Sequence, residues 1–264
     1  TAGTGGFGIK NDSMGSYSPY IQIVVTVFML LFSINFSSYY FIITGKLKEA
    51  FNLEIRIFVF TVISAITIIT LNVKEMFPTI GEAIRHVSFT VSSIISTTGF
   101  STVDFELWPE LSRTIIVLIM FIGACAGSTG GGIKVMRIII LFKGMAKELR
   151  VMIHPKQLKK ITIDSHSVEH EVVRSVNMYM VCYILIYVVS LLAISFDNHN
   201  LITNFTAVAA TLNNVGPGLE LVGPTQNFEF FSIPSKLVLI FDMLAGRLEL
   251  FPMLLLFTPA TWKK

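Results

Sequence analysis

Residues 21–44, IQIVVTVFMLLFSINFSSYYFIIT, run without a single charged side chain. About 20 apolar residues are what a helix needs to cross the hydrocarbon of a bilayer. Four further stretches have the same character: 55–73, entered through Glu54 and Arg56; 111–143, with a glycine-rich interruption; 176–196; and 233–258. Two half-polar stretches, 81–96 and 201–212, are too short to cross but long enough to enter and return. Hydrophobic residues make up 53% of the chain and charged residues 14%, against about a quarter charged in an average soluble domain. The expected class is an all-α integral membrane protein.

Lysine and arginine set the orientation. Lys46, Lys48 and Arg56 flank one loop, and Lys143, Lys147, Arg150, Lys156, Lys159, Lys160 and Arg174 crowd a second. Lys263 and Lys264 close the sequence, whereas the opposite side holds Lys10, Lys74, Arg85, Arg113 and Lys236. The positive-inside rule makes the rich loops cytoplasmic and turns both half-polar stretches outward. Topology accounts for that positive charge, so a lipid bilayer is the expected partner and nucleic acid is not. Cys125 and Cys182 fall inside apolar segments, which suggests no disulfide framework. No signal peptide is visible. The sequence opens without methionine in the middle of a motif and is expected to be a fragment.

Both half-polar stretches end in glycine loops. STTGFSTVDF (96–105) closes the first and TLNNVGPGLELVG (211–223) the second, and TAGTGGFGIKND (1–12) reads as a third copy without its lead-in. Each has a glycine behind small or polar residues: Gly6, Gly99 and Gly216. The repeating unit is span, re-entrant helix, glycine loop, span. By that unit, 1–45 is the end of one pore repeat, 46–143 a complete one, and 144–264 a basic cytoplasmic loop with another.

Irregular backbone at membrane depth persists only when buried in protein or lining water. Glycine allows conformations that turn successive carbonyls toward an axis, and such carbonyls replace the hydration shell of a cation. A short helix before each loop would aim the negative end of its dipole at the same point. One such loop would read as an ordinary outer loop. Three in matching positions predict a cation pore.

STTGFSTVDFELWP, GACAGSTGGGIKVMR, TLNNVGPG and GRLELFPMLLLFTPATWKK, in this order, closely resemble the Trk/Ktr/HKT potassium-transporter superfamily, in its bacterial TrkH branch. The resemblance runs through essentially the whole chain. It implies four span–pore–span repeats around one pore, with Gly6, Gly99 and Gly216 as the second, third and fourth filter glycines. Thr4 and Gly5, Thr97 and Thr98, and Asn214 and Val215 would then line the potassium sites. It further implies a multi-pass protein of the bacterial cytoplasmic membrane, a homodimer, and a cytosolic TrkA-type nucleotide-binding regulatory subunit. Potassium is the transported substrate, the filter its only metal site, and no cofactor is expected.

GACAGSTGGGIK (123–134) interrupts an apolar segment. A phosphate-binding loop fails on spacing, because Ile133 separates Gly132 from Lys134 and no Ser or Thr follows. By resemblance, Gly127, Ser128, Thr129, Gly130, Gly131 and Gly132 form an intramembrane gate under the filter. HSVEH (166–170) fits the H-x-x-E-H pattern of inverted zinc peptidases, so a membrane metallohydrolase using His166, Glu169 and His170 is the competing function. Its place in a short basic loop favours a solvated connection instead. Arg247 is basic well inside the last span, where arginine costs roughly 2.5–3.5 kcal/mol on insertion scales. Glu249 and Asp242 are not spaced to pair with it along the helix. It is expected to reach the wet cavity below the filter, with a salt bridge to another repeat as the alternative.

Overall fold

The computed structural model describes all residues except Phe7, Asn11, Pro155 to Lys159, Ser165, Glu249, Lys263 and Lys264. Helix α1 (Pro19–Phe32) starts on Ser18, whose hydroxyl accepts from Ile21 N, with Pro19 in the first turn where its missing N–H costs nothing. The expected single helix over 21–44 is instead two. α2 (Phe36–Ile43) leaves α1 at 91°. Ser33 returns its hydroxyl to Met29 O, and Asn35 caps a new helix by accepting from Ser37 N at 2.8 Å. Short polar side chains that bond to nearby backbone end one helix and start the next.

A short helix α3 (Leu47–Ala50) leads to α4 (Leu53–Val73), capped by Asn52 and prolonged to Met76 by a 3₁₀ turn. α5 (Ile80–Ile95) starts on Thr79, which accepts from Glu82 N. α6 (Glu110–Ile122) and α7 (Val135–Ile153) flank the glycine-rich loop. A two-residue antiparallel ribbon, β1 (Thr162–Ile163) and β2 (His166–Ser167), precedes α8 (His170–Ile194). α8 begins six residues before the apolar run alone suggests. α9 (Leu201–Leu212), α10 (Ile233–Leu248), α11 (Leu250–Leu256) and α12 (Pro259–Trp262) complete the chain.

The packing repeats. α5 lies against α4, α6 and α1; α9 lies against α8, α10 and α6. One apolar core gathers Phe58, Ile69, Val91, Ile95 and Ile116, and a second gathers Tyr183, Val208, Leu212 and Leu239. Every residue from Phe89 to Ile95 of α5, and from Thr206 to Leu212 of α9, is buried, so the two short helices end inside the protein. The longer helices carry apolar residues outward as well: Phe60, Ile63 and Leu71 on α4, Ile184, Leu185 and Leu192 on α8. A helix apolar on both its faces is at home in lipid. By length and composition, Leu53–Met76 and His170–Asp197 are candidate membrane spans, and the bent α1–α2 pair makes a third if counted as one.

The basic segments meet at one end. Asp164, at the turn of the ribbon, accepts from Leu53 N at 2.9 Å through Oδ2 and pairs with Arg56 at 3.2 Å. Lys143, Lys147, Arg150 and Lys160 line one groove nearby. Among the described residues, Arg56, Lys143, Lys147, Arg150 and Lys160 therefore lie toward one end, in keeping with the charge placement in the sequence.

Candidate functional site

The site is built on two helix ends. At the end of α5, Thr97 N donates to Ile94 O and Thr98 N to Ser93 O. At the end of α9, Asn214 N donates to Thr211 O and Val215 N to Ala210 O. This paired pattern is the Schellman motif, which needs a left-handed residue after the cap. Thr97 (φ +56°) and Asn214 (φ +57°) take that conformation although neither is glycine, and Thr4 has φ +56° at the matching place in the first loop. Each stands two residues before a glycine that also has positive φ: Gly6 (+77°), Gly99 (+78°) and Gly216 (+111°). A threonine or asparagine held left-handed in three equivalent places is strain of the kind found at functional sites.

The three loops converge. A β-carbon on Gly99 would overlap Val215 O and stand 3.0 Å from Gly6 Cα. One on Gly6 would stand 2.9 Å from Gly99 O, and one on Gly216 3.1 Å from Gly5 O. The obstacles are backbone, which cannot swing aside. Gly5 N donates to Thr97 O at 3.3 Å. Buried polar side chains brace the loops: Ser96 Oγ with Thr98 Oγ1 (2.8 Å), Ser93 Oγ to Phe100 O (2.6 Å), and Tyr183 OH to Asn213 Oδ1 (3.0 Å). Beyond the glycines, Arg113 joins the loops that follow Gly99 and Gly216 by pairing with Glu106 at 2.5 Å and Glu220 at 3.2 Å. A cavity of about 790 Å³ reaches the convergence and is lined by Gly6, Gly99, Asn214, Gly216, Lys236 and Met243, among others.

The 123–134 loop lies against the same helix ends. Its neck is closed by main-chain bonds from Ile133 N to Phe121 O and Lys134 N to Ile122 O, and Gly123 and Gly132 touch there. Gly131 N donates to Thr97 Oγ1 at 2.7 Å. A β-carbon on Gly131 would overlap Asn213 O, and one on Gly130 would stand 3.0 Å from Ser96 O. The glycine run is therefore what lets the loop approach the carbonyl ends of both short helices. Gly127 packs on Asn35, Ser128 bonds its own turn at Cys125 O, and Thr129 N donates to Phe32 O. The loop is thus also moored to the bend between α1 and α2.

Arg247 spans the two features. Its Nη1 donates to Thr4 Oγ1 and to Thr129 O, each at 2.9 Å, and its Nη2 to Gly3 O at 3.4 Å. Among the described residues, these partners are neutral oxygens of other segments. Asp242 is fully buried and accepts instead from Ser190 Oγ at 2.7 Å, while Glu249 lies outside the described residues.

Several contributors have little or no signal in the sequence. Gly246 lets α10 close on the loop after α9, since a β-carbon there would overlap Leu212 O and stand 2.7 Å from Asn214 Nδ2. It reads as a lone glycine in an apolar helix. Glu54 reads as a flanking charge, yet it is buried and bonded to the 123–134 loop. The HSVEH residues are not brought together as a zinc site needs. His166 lies on β2, Glu169 precedes α8 and His170 opens it, so no single helix presents both histidines. Among the described residues, no three His, Cys, Asp or Glu side chains are grouped to hold a metal.

Known proteins resemble this chain in sequence and fold. The family model TrkH, described as cation transport protein, matches residues 1–264. The Trk system potassium uptake protein TrkH of Escherichia coli (strain K12) is 34% identical over 269 residues, covering 100% of this chain and 55% of that protein. The potassium uptake protein TrkG of the same organism is 31% identical over 268 residues, with 100% and 55% covered. The crystal structure of the potassium transporter TrkH from Vibrio parahaemolyticus superimposes with a TM-score of 0.88 at 33% identity, over 99% of this chain and 57% of that one. The chain spans about half the length of these relatives. On a family match over its whole length and a shared fold, this chain belongs to the TrkH family of cation transport proteins.

Proposed function

We propose that the protein to which this chain belongs takes up potassium across the bacterial cytoplasmic membrane as a multi-pass transporter, with no chemistry performed on its substrate. Thr4–Gly5–Gly6, Thr97–Thr98–Gly99 and Asn214–Val215–Gly216 act as three strands of a selectivity filter, whose carbonyls stand in for water around the ion. The observation that carries this reading is the convergence of three loops, each with a left-handed residue two positions before a positive-φ glycine. α5 and α9 serve as pore helices, their carbonyl ends favouring a cation. Residues 1–45, 46–143 and 144–264 contribute the end of one pore repeat and two complete ones.

The loop from Gly127 to Gly132 acts as the gate, and Arg247 holds it against the filter while placing a positive charge near the ion's route. Its contacts with Thr4 and Thr129 support that role. The full protein works as a homodimer controlled by a cytosolic TrkA-type nucleotide-binding subunit, an expectation that rests on the family. The test is ion flux into liposomes holding the full-length protein: potassium uptake is expected, with sodium much slower. Equal or absent potassium uptake by a folded preparation would overturn the reading.

A further inference from the structure

Glu54 is fully buried in the first turn of α4. Its Oε1 accepts from Ala126 N at 2.7 Å and from Met136 N at 3.2 Å. Ala126 stands where the glycine-rich loop departs, and Met136 stands in the first turn of α7, just past where the loop returns. One carboxylate oxygen therefore holds both feet of the loop. Main-chain moorings of this stretch to α1 and α2 run from Cys125 N to Ser33 O, Phe36 N to Gly127 O and Thr129 N to Phe32 O, at 3.0–3.3 Å, and Thr129 Oγ1 also donates to Phe32 O. Burying a carboxylate is costly unless it is well bonded, and Oε2 has no hydrogen-bond partner among the described residues. Packing alone would be served better by an apolar side chain.

The residue before it is tied elsewhere. Leu53 N donates to both carboxylate oxygens of Asp164, at 3.1 and 2.9 Å, and Arg56 pairs with the same group. Asp164 sits at the turn of the β1–β2 ribbon with φ +45°. The ribbon thus grips position 53 and position 54 grips the loop. A displacement of the ribbon has only one peptide unit to cross before it reaches Glu54.

We propose that Glu54 is the positioning residue that keeps the glycine-rich loop in its obstructing place, and that the start of α4 transmits movement of the ribbon to that loop. The inference rests on reading the loop as a gate. It accounts for a buried carboxylate at a helix start, and for a ribbon fastened to that start rather than to its own neighbours alone.

Cys125, buried beside Ala126, reports on the loop independently of flux. The experiment uses the full-length protein in liposomes with Cys182 and all cysteines outside this segment replaced. Glu54→Ala should speed modification of Cys125 by a membrane-permeant maleimide about tenfold or more and raise basal potassium flux. Glu54→Gln, which keeps an acceptor oxygen, should restore most of both. Asp164→Ala should speed modification severalfold. Should Glu54→Ala fail to fold, Glu54→Asp, one methylene too short to serve both N–H groups, takes its place with the same expectation. Unchanged modification in a folded Glu54→Ala or Glu54→Asp variant overturns the clamp, even if shortening the loop raises flux. Faster modification with unchanged flux upholds the clamp and overturns the gate reading beneath it. Wild-type modification in Asp164→Ala overturns the link to the ribbon.

Discussion

Replacing Gly99 by serine tests the filter where space is tightest. Gly99 has φ +78°, a region where an L side chain costs about 1 kcal/mol or more. Its new β-carbon would overlap Val215 O and stand 3.0 Å from Gly6 Cα, so both other loops are struck on their backbones. Overpacking of that kind typically costs a further ~1–3 kcal/mol. The total, roughly 2–4 kcal/mol, is relieved only by moving the three loops apart. A filter that prefers potassium over sodium through the placing of its carbonyls loses about tenfold for each ~1.4 kcal/mol of differential binding. The permeability ratio of potassium to sodium should therefore fall at least about tenfold. The assay is reversal potential or paired ion flux in liposomes carrying the full-length variant, with folding checked by size exclusion and thermal melting. A folded variant whose ratio is unchanged would remove Gly99 from the filter.

Two further substitutions and a deletion probe other parts of the site. Arg247→Ala removes a cation bonded to Thr4 and Thr129 and should raise potassium flux in a stable protein; a stable variant that conducts less would make Arg247 a structural brace. Deleting Ser128 to Gly131, while keeping the Gly123–Gly132 neck, should raise flux and weaken its regulation, and normal regulated flux would refute the gate. Gly246→Ala places a β-carbon into Leu212 O and should destabilise the protein by ~1–3 kcal/mol, seen as a lower melting temperature in detergent; an unchanged melt would mean α10 has room to retreat.

How much the sequence discloses depends on which physical term places each residue. The glycine loops are legible because irregular backbone at membrane depth is costly, and because the same device recurs at Gly6, Gly99 and Gly216. The left-handed Thr97 and Asn214 are not: local preference puts glycine at such positions, and only the braced surroundings hold threonine and asparagine there. The bend at Ser33–Asn35 is hidden in an apolar run, since its cause is a pair of side-chain bonds and hydropathy counts only polarity. Glu54 looks like any charge at the edge of a span, because the partners that bury it lie 72 and 82 residues away. HSVEH shows the opposite case, a spacing that its place in a short basic loop already argued against. Its spacing fits a zinc helix, but the turn at Asp164 places the first histidine in a strand.

On the proposed function, cations pass where the three glycine loops meet. The most direct measurement is anomalous scattering from crystals of the full-length protein grown with rubidium or thallium ions, which stand in for potassium. Anomalous peaks are expected on the axis between Thr4–Gly6, Thr97–Gly99 and Asn214–Gly216, lost when potassium is added in excess. Peaks found only away from these loops, with the convergence empty in an ion-loaded crystal, would contradict it.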